Sequence, residues 1–139
     1  MRAAWSFGLA GLIPFVGLTF LAGLGPLQWQ PVAQILLAQY GALITAFVGA
    51  LHWGRAVQSG SEGGAAWLRY GYSVVPALWA WFALQFPIAL VLQLLAAGLV
   101  ACLAVDLAFQ RVQPWPGWMI RLRLVLTTVA ALSLLAGSL

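Results

Sequence analysis

The sequence predicts an all-α, polytopic membrane protein: one transmembrane domain over residues 1–139, built as a five-helix bundle. Three observations carry this. Hydrophobic residues make up 64 % of the chain and charged residues 6 %, whereas a soluble domain carries about a quarter charged residues. Two charge-free stretches, between Arg2 and Arg55 and from Tyr70 to Val105, each exceed the ~20 apolar residues that cross a bilayer. Within them the apolar residues run on instead of alternating with polar ones, as barrel strands would require. Six arginines, one glutamate and one aspartate cannot clothe a water-soluble surface. A soluble enzyme, a disordered tail and a disulfide scaffold are therefore excluded. Cys102 is the single cysteine, and it lies in an apolar run as a small filler.

The first charge-free stretch is punctuated by Gly25-Pro26 and Pro31, around Gln28-Trp29-Gln30. It reads as two helices, about 4–24 and 32–54, joined by a short polar turn. The first helix is too long for the apolar region of a signal peptide, and its basic flank is one arginine, so it is expected to be a permanent span. Gln58-Ser59-Gly60-Ser61-Glu62-Gly63-Gly64 is the one extended hydrophilic segment and reads as a flexible linker. Gln85-Phe86-Pro87 divides the second charge-free stretch. Proline fits the first turn of a helix, where its missing N–H is not needed. The third and fourth helices are therefore expected at about 66–85 and 87–110. Pro114 and Pro116 mark a tight turn, and the fifth helix runs over about 117–138. Connections this short leave no room for a second domain, and no internal repeat is visible.

Five spans place the N-terminus, the 55–69 loop and the 111–123 connection on one side. Those segments hold Arg2, Arg55, Arg69, Arg111, Arg121 and Arg123, every basic residue except His52. By the positive-inside rule that side is cytoplasmic, or the matrix in a mitochondrion, and the C-terminus is periplasmic in a bacterium. Trp5, Trp53, Trp67, Tyr70, Trp115 and Trp118 fall near the same side. The net charge of +4 thus reads as topology signals and not as a nucleic-acid surface.

Membrane helices approach one another through small residues. On the second helix one face carries Ala38, Gly41, Ala42, Thr45, Val48, Gly49 and His52, and the other Leu36, Tyr40, Leu43 and Phe47. The small face is expected inside and the bulky face in lipid. On the fifth helix Arg123, Thr127, Ala130, Leu134 and Gly137 share a side, opposite Arg121, Val125, Leu132 and Leu135. Arg121 and Arg123 are about 200° apart around the helix, and Arg123 is the one expected inside. The fourth helix is ambiguous. Asp106 shares a face with Leu95, Leu99, Cys102, Phe109 and Gln110, while Ala97, Ala101, Ala104 and Ala108 lie opposite. Either this helix packs on both sides, or Asp106 sits at the lipid boundary. Gln34, Gln39 and Gln93 could hydrogen-bond between the second and fourth helices.

His52, Asp106 and Arg123, joined by Arg55, form the one ionisable constellation. Charges within a membrane are expensive, usually paired, and often mark a ligand or proton path. The plainer reading is a salt bridge that fixes helix order, with arginines snorkelling to the interface. Two cations side by side repel, which favours a neutral His52 and needs an acceptor; Asp106 is the best candidate. Metal ligation is poorly supported, because one histidine, one cysteine and one aspartate match no ligand spacing. A hydrolase triad of Ser73, His52 and Asp106 can be drawn on paper, but Ser73 lies three residues before Pro76 and reads as a hydroxyl that serves a proline kink.

Gly11-Leu12-Ile13-Pro14-Phe15, Tyr40-Gly41-Ala42-Leu43, Gly49-Ala50-Leu51-His52-Trp53-Gly54, Ser73-Val74-Val75-Pro76, and Leu122-Arg123 with Leu126-Thr127 occur in that order. In these segments the chain resembles the domain-of-unknown-function family 3429, whose eukaryotic members are the mitochondrial transmembrane protein 69 group. The likeness spans nearly the whole chain and is most specific around His52. It implies a small inner-membrane protein of bacteria or mitochondria and no particular activity. His52 and Arg123 lie in the resembling segments; Asp106 lies outside them.

The leading expectation is an inner-membrane protein that is not an enzyme and needs no cofactor. It binds a lipophilic molecule, a quinone or lipid headgroup, or a membrane-protein partner, through His52, Arg123, Asp106 and Arg55. The alternative is a small solute or proton carrier acting as a homo-oligomer. A membrane-embedded hydrolase or redox subunit is the third reading.

Overall fold

A computed structural model describes residues 1–60, 62–112 and 114–139. Those residues form six helices and no strand: α1 (Arg2–Ala10), α2 (Ile13–Leu24), α3 (Gln30–Gln58), α4 (Gly63–Ala83), α5 (Ile88–Phe109) and α6 (Gly117–Gly137). The chain crosses the bundle five times, because α1 and α2 are two halves of one pass.

The first expected helix is therefore broken. Pro14 falls in the first turn of α2. It offers no N–H to the Ala10 carbonyl, and its ring crowds that carbonyl. The helix stops at Ala10, turns through Gly11 and Leu12, and restarts at Ile13. Elsewhere the expected limits shift by a few residues. The second expected helix gains a last turn, so that α3 includes Arg55 and Gln58. Gly60 follows α3 with φ +57°, the left-handed geometry that glycine supplies just past a helix end. The expected linker loses its two ends to helix, since Gln58 closes α3 and Gly63 opens α4; its Ser61 lies outside the described residues.

Arg2–Leu24, Gln30–Gln58, Ile88–Phe109 and Gly117–Gly137 are long and apolar enough to cross a membrane. The remaining pass, α4, matches them in length, but Arg69 and five aromatic residues with polar atoms (Trp67, Tyr70, Tyr72, Trp79 and Trp81) lower its hydropathy. Large side chains such as Phe7, Leu43, Phe47, Trp67 and Trp81 stand exposed around the outside, a distribution suited to lipid and not to water.

α3 is the central helix and packs against α2, α4, α5 and α6. Between α3, α5 and α6 the side chains meet in layers. Leu37, Leu92 and Gly137 form one layer, and Gly41, Leu95 and Leu134 the next. His52, Asp106 and Arg123 form the last. α3 and α5 thus run in one direction and α6 in the other. All seven residues of the small face of α3 are buried, as are Arg123, Thr127, Ala130, Leu134 and Gly137 of α6.

Three expectations are corrected. Tyr40 does not face lipid. It is half-buried, packs edge-on against Phe15 at 5.0 Å, and donates from its hydroxyl to the Gly11 carbonyl at 2.8 Å. The helix break at Pro14 creates the need for that donor. On α5, neither alternative holds. Asp106 is inside, with Leu92, Leu95 and Leu99, and the alanine face is exposed. Gly98 instead admits Trp79 of α4, whose indole N–H donates to the Leu94 carbonyl at 2.9 Å. Finally, Gln34 bonds α6 and not α5: its amide donates to the Gly137 carbonyl at 2.9 Å, while Gln39 and Gln93 are exposed.

Candidate functional site: a buried carboxylate between a histidine and an arginine

α3 brings His52, α5 brings Asp106 and α6 brings Arg123 to one depth near the end of the bundle that holds the arginines. All three are buried, with exposures of 7 %, 3 % and 8 %. His52 Nε2–H donates to Asp106 Oδ1 at 2.6 Å. Arg123 donates from Nε at 2.8 Å and from a terminal nitrogen at 2.5 Å, both to Asp106 Oδ2. Each carboxylate oxygen is therefore taken, one by each partner. Buried carboxylates require such pairing, since desolvation without it is prohibitive.

Rings close over the histidine. Tyr72 of α4 meets the imidazole edge-on at 4.9 Å, Phe109 at 5.6 Å, and Trp115 edge-on at 5.8 Å. Gln110 fixes Trp115, accepting its backbone N–H at 2.7 Å and donating to its carbonyl at 2.9 Å. Arg55 does not join Asp106 directly. Its guanidinium lies 3.8 Å over the Trp115 ring and donates to the Pro114 carbonyl at 3.1 Å. Cation–π contact of this kind suits a half-exposed arginine at an interface. Of the four expected site residues, three form one cluster, and Arg55 is attached to it through Trp115.

His52 and Arg123 open onto different spaces. His52 borders a cavity of about 10 Å³ beside Arg55, Arg69, Phe109 and Trp115, room for roughly one water. Arg123 borders a cleft of about 330 Å³ between α1, α3 and α6. Phe15 and Ala130 form its deep end, Trp118 and Met119 its other end, and the exposed Phe7 and Phe47 stand at its side. The break before Pro14 makes the cleft: α1 packs against α6, buries no residue fully, and leaves the α3 side uncovered. Arg123 is the one charged residue among those lining it.

The cleft was not expected from the sequence, because it depends on the direction in which α1 departs. Thr127 lines it too. The sequence places Thr127 on the inner face but gives it no role. The hydrolase triad is not assembled: the His52–Asp106 half is present, but the Ser73 hydroxyl donates to the Tyr70 carbonyl at 2.6 Å. Among the described residues, no group of three histidine, cysteine, aspartate or glutamate side chains could hold a metal ion.

Comparison with known proteins agrees with the membrane reading. Transmembrane protein 69 of Xenopus tropicalis is 40 % identical over 138 residues, covering 98 % of this chain and 53 % of its own length. Transmembrane protein 69 of Mus musculus is 32 % identical over 127 residues, covering 90 % of this chain and 51 % of its own length. The chain thus spans about half the length of the curated relatives it matches. No solved structure matches it. The match to the family described as "Protein of unknown function (DUF3429)" extends over residues 1–139, and the chain belongs to that family of membrane proteins.

Proposed function

We propose that this protein binds a lipophilic molecule in the cleft between α1, α3 and α6, with Arg123 as the polar contact and His52 and Asp106 holding that arginine in place. The observation that carries the reading is the cleft itself. It is apolar along nearly its whole lining, bordered by exposed side chains that belong in lipid, and one buried, oriented guanidinium stands in its wall. Ligand sites have this composition: an apolar enclosure with few fixed polar groups. A salt bridge that served only helix order would not require space beside it.

The arginine-rich end faces the cytoplasm of a bacterial inner membrane, or the matrix in a mitochondrion. That orientation is supported by Arg2, Arg55, Arg69, Arg111, Arg121 and Arg123, which all fall at one end of the five passes. Bilayer lipids are the immediate partners, and the ligand reaches the cleft sideways from the bilayer.

Native mass spectrometry of the purified protein tests this. The wild type should retain one lipophile per chain after delipidating detergent washes, and Leu51→Trp, which fills the cleft from α3, should lose it. A bare wild type, or equal retention by the variant, would refute the reading.

A further inference from the structure

The hydroxyl of Thr127 narrows the ligand class. Thr127 is 3 % exposed, and its Oγ1 has no hydrogen-bond partner among the described residues. Helical hydroxyls in an apolar setting ordinarily donate back to a carbonyl three or four residues earlier. In this protein Thr19 does so to Phe15, Thr45 to Gly41, and Ser73 to Tyr70, at 2.6–2.8 Å. Thr127 does not. A buried hydroxyl without a partner is destabilising in itself; this one lies just beneath the wall of the cleft, on a residue that lines it beside Arg123, and a rotation about the threonine χ1 presents it there. The two residues are four apart on α6, and so neighbours on one helix face.

Charge decides what the pair can accept. Arg123 is already neutralised by Asp106, to which it gives two of its N–H groups; a guanidinium has five. The cleft therefore offers N–H and O–H donors with no net charge. An anionic head placed against Arg123 would lie close to the Asp106 carboxylate, which already neutralises that guanidinium. We infer that the cleft takes an uncharged lipophile with a carbonyl oxygen at its head, which accepts hydrogen bonds from the Thr127 hydroxyl and the Arg123 guanidinium while its tail leaves past Phe7 and Phe47 into the bilayer. This rests on the lipophile-binding reading above and specifies its ligand. Two membrane sources share that chemistry, prenylquinones and diacylglycerols.

The test is a binding titration of the full chain in detergent micelles, followed by native mass spectrometry. Three probes are compared: a short-chain prenylquinone, dioleoylglycerol and dioleoylphosphatidylglycerol. At least one neutral probe should bind more tightly than the phosphatidylglycerol, and whichever it is names the source. Thr127→Val should weaken that probe by about fivefold to tenfold, the worth of roughly one hydrogen bond. The same variant should melt no lower than the wild type without ligand, since it removes an unpaired buried hydroxyl. Thr127→Ser should bind like the wild type. If phosphatidylglycerol binds as well as or better than the neutral probes, or Thr127→Val leaves the affinity unchanged, the inference fails while lipophile binding stands. If no probe binds, both fail.

Discussion

Gly49 on α3 and Pro76 on α4 are in such close contact that a Cβ on the glycine would lie 2.9 Å from the proline Cγ and 2.6 Å from the Ser73 carbonyl oxygen. Neither obstacle is the tip of a flexible side chain. A proline ring and a backbone carbonyl move only if the two helices separate. Since lipid is as apolar as leucine, close packing of this kind is a main source of helix association in a bilayer.

Substitutions on α3 should therefore split by face. Gly49→Ala should cost about 1–3 kcal/mol, the usual range for overpacking, and Gly49→Leu should prevent assembly. Leu43→Ala, on the exposed face, should stay within about 0.5 kcal/mol. Thermal unfolding in detergent gives the comparison. Equal effects at the two positions would mean that the α3–α4 contact is not as tight as the geometry says.

The carboxylate between His52 and Arg123 leads to a second expectation. Asp106→Leu strands a buried guanidinium and should destabilise by about 3–5 kcal/mol, whereas removing both charges often costs less. The double variant Asp106→Leu with Arg123→Leu should therefore unfold at a higher temperature than Asp106→Leu alone. Additive losses across the two positions would argue that the ion pair is not buried as a unit.

How far the sequence discloses this structure depends on contrast between faces. On α3, Gly41, Thr45 and Gly49 oppose Leu43 and Phe47, so the inner face is readable from spacing alone, and His52 with it. On α6 the same contrast places Arg123 inside and Arg121 outside. α5 lacks contrast: it is apolar all round, its interface is leucine-rich, and its alanines face outward. The position of Asp106 follows only once His52 and Arg123 are known to need an acceptor. The cleft depends on how α1 leaves the bundle after the break at Pro14, which is a tertiary outcome. Tyr40 was unreadable for the same reason, because its partner is a carbonyl exposed by that break.

Tyr40→Phe isolates that last contact. The hydroxyl's single bond to the Gly11 carbonyl at 2.8 Å spans the helix break, while the ring's packing on Phe15 is retained by phenylalanine. The loss should be about 1 kcal/mol, with faster amide exchange around residues 8–16 than in the wild type. Unchanged exchange there would show that the break is held by other contacts.

Orientation can be read with reporter fusions. The arginines lie at the start of α1, near the end of α3, in the second turns of α4 and α6, and just after α5. In five alternating passes those are all one end, and the opposite end carries the 25–29 and 84–87 turns and the end of α6 without a basic residue. Moving arginine-bearing segments across an energised membrane is strongly disfavoured, and basic residues in short loops set the orientation. Alkaline phosphatase, active only outside the bacterial cytoplasm, should therefore be silent when inserted at Gly63 and active when fused after Leu139. The opposite pattern would invert the protein. Activity at both sites or at neither would mean that α4, the pass whose hydropathy Arg69 and its aromatic residues lower, does not cross, and the number of spans would be even.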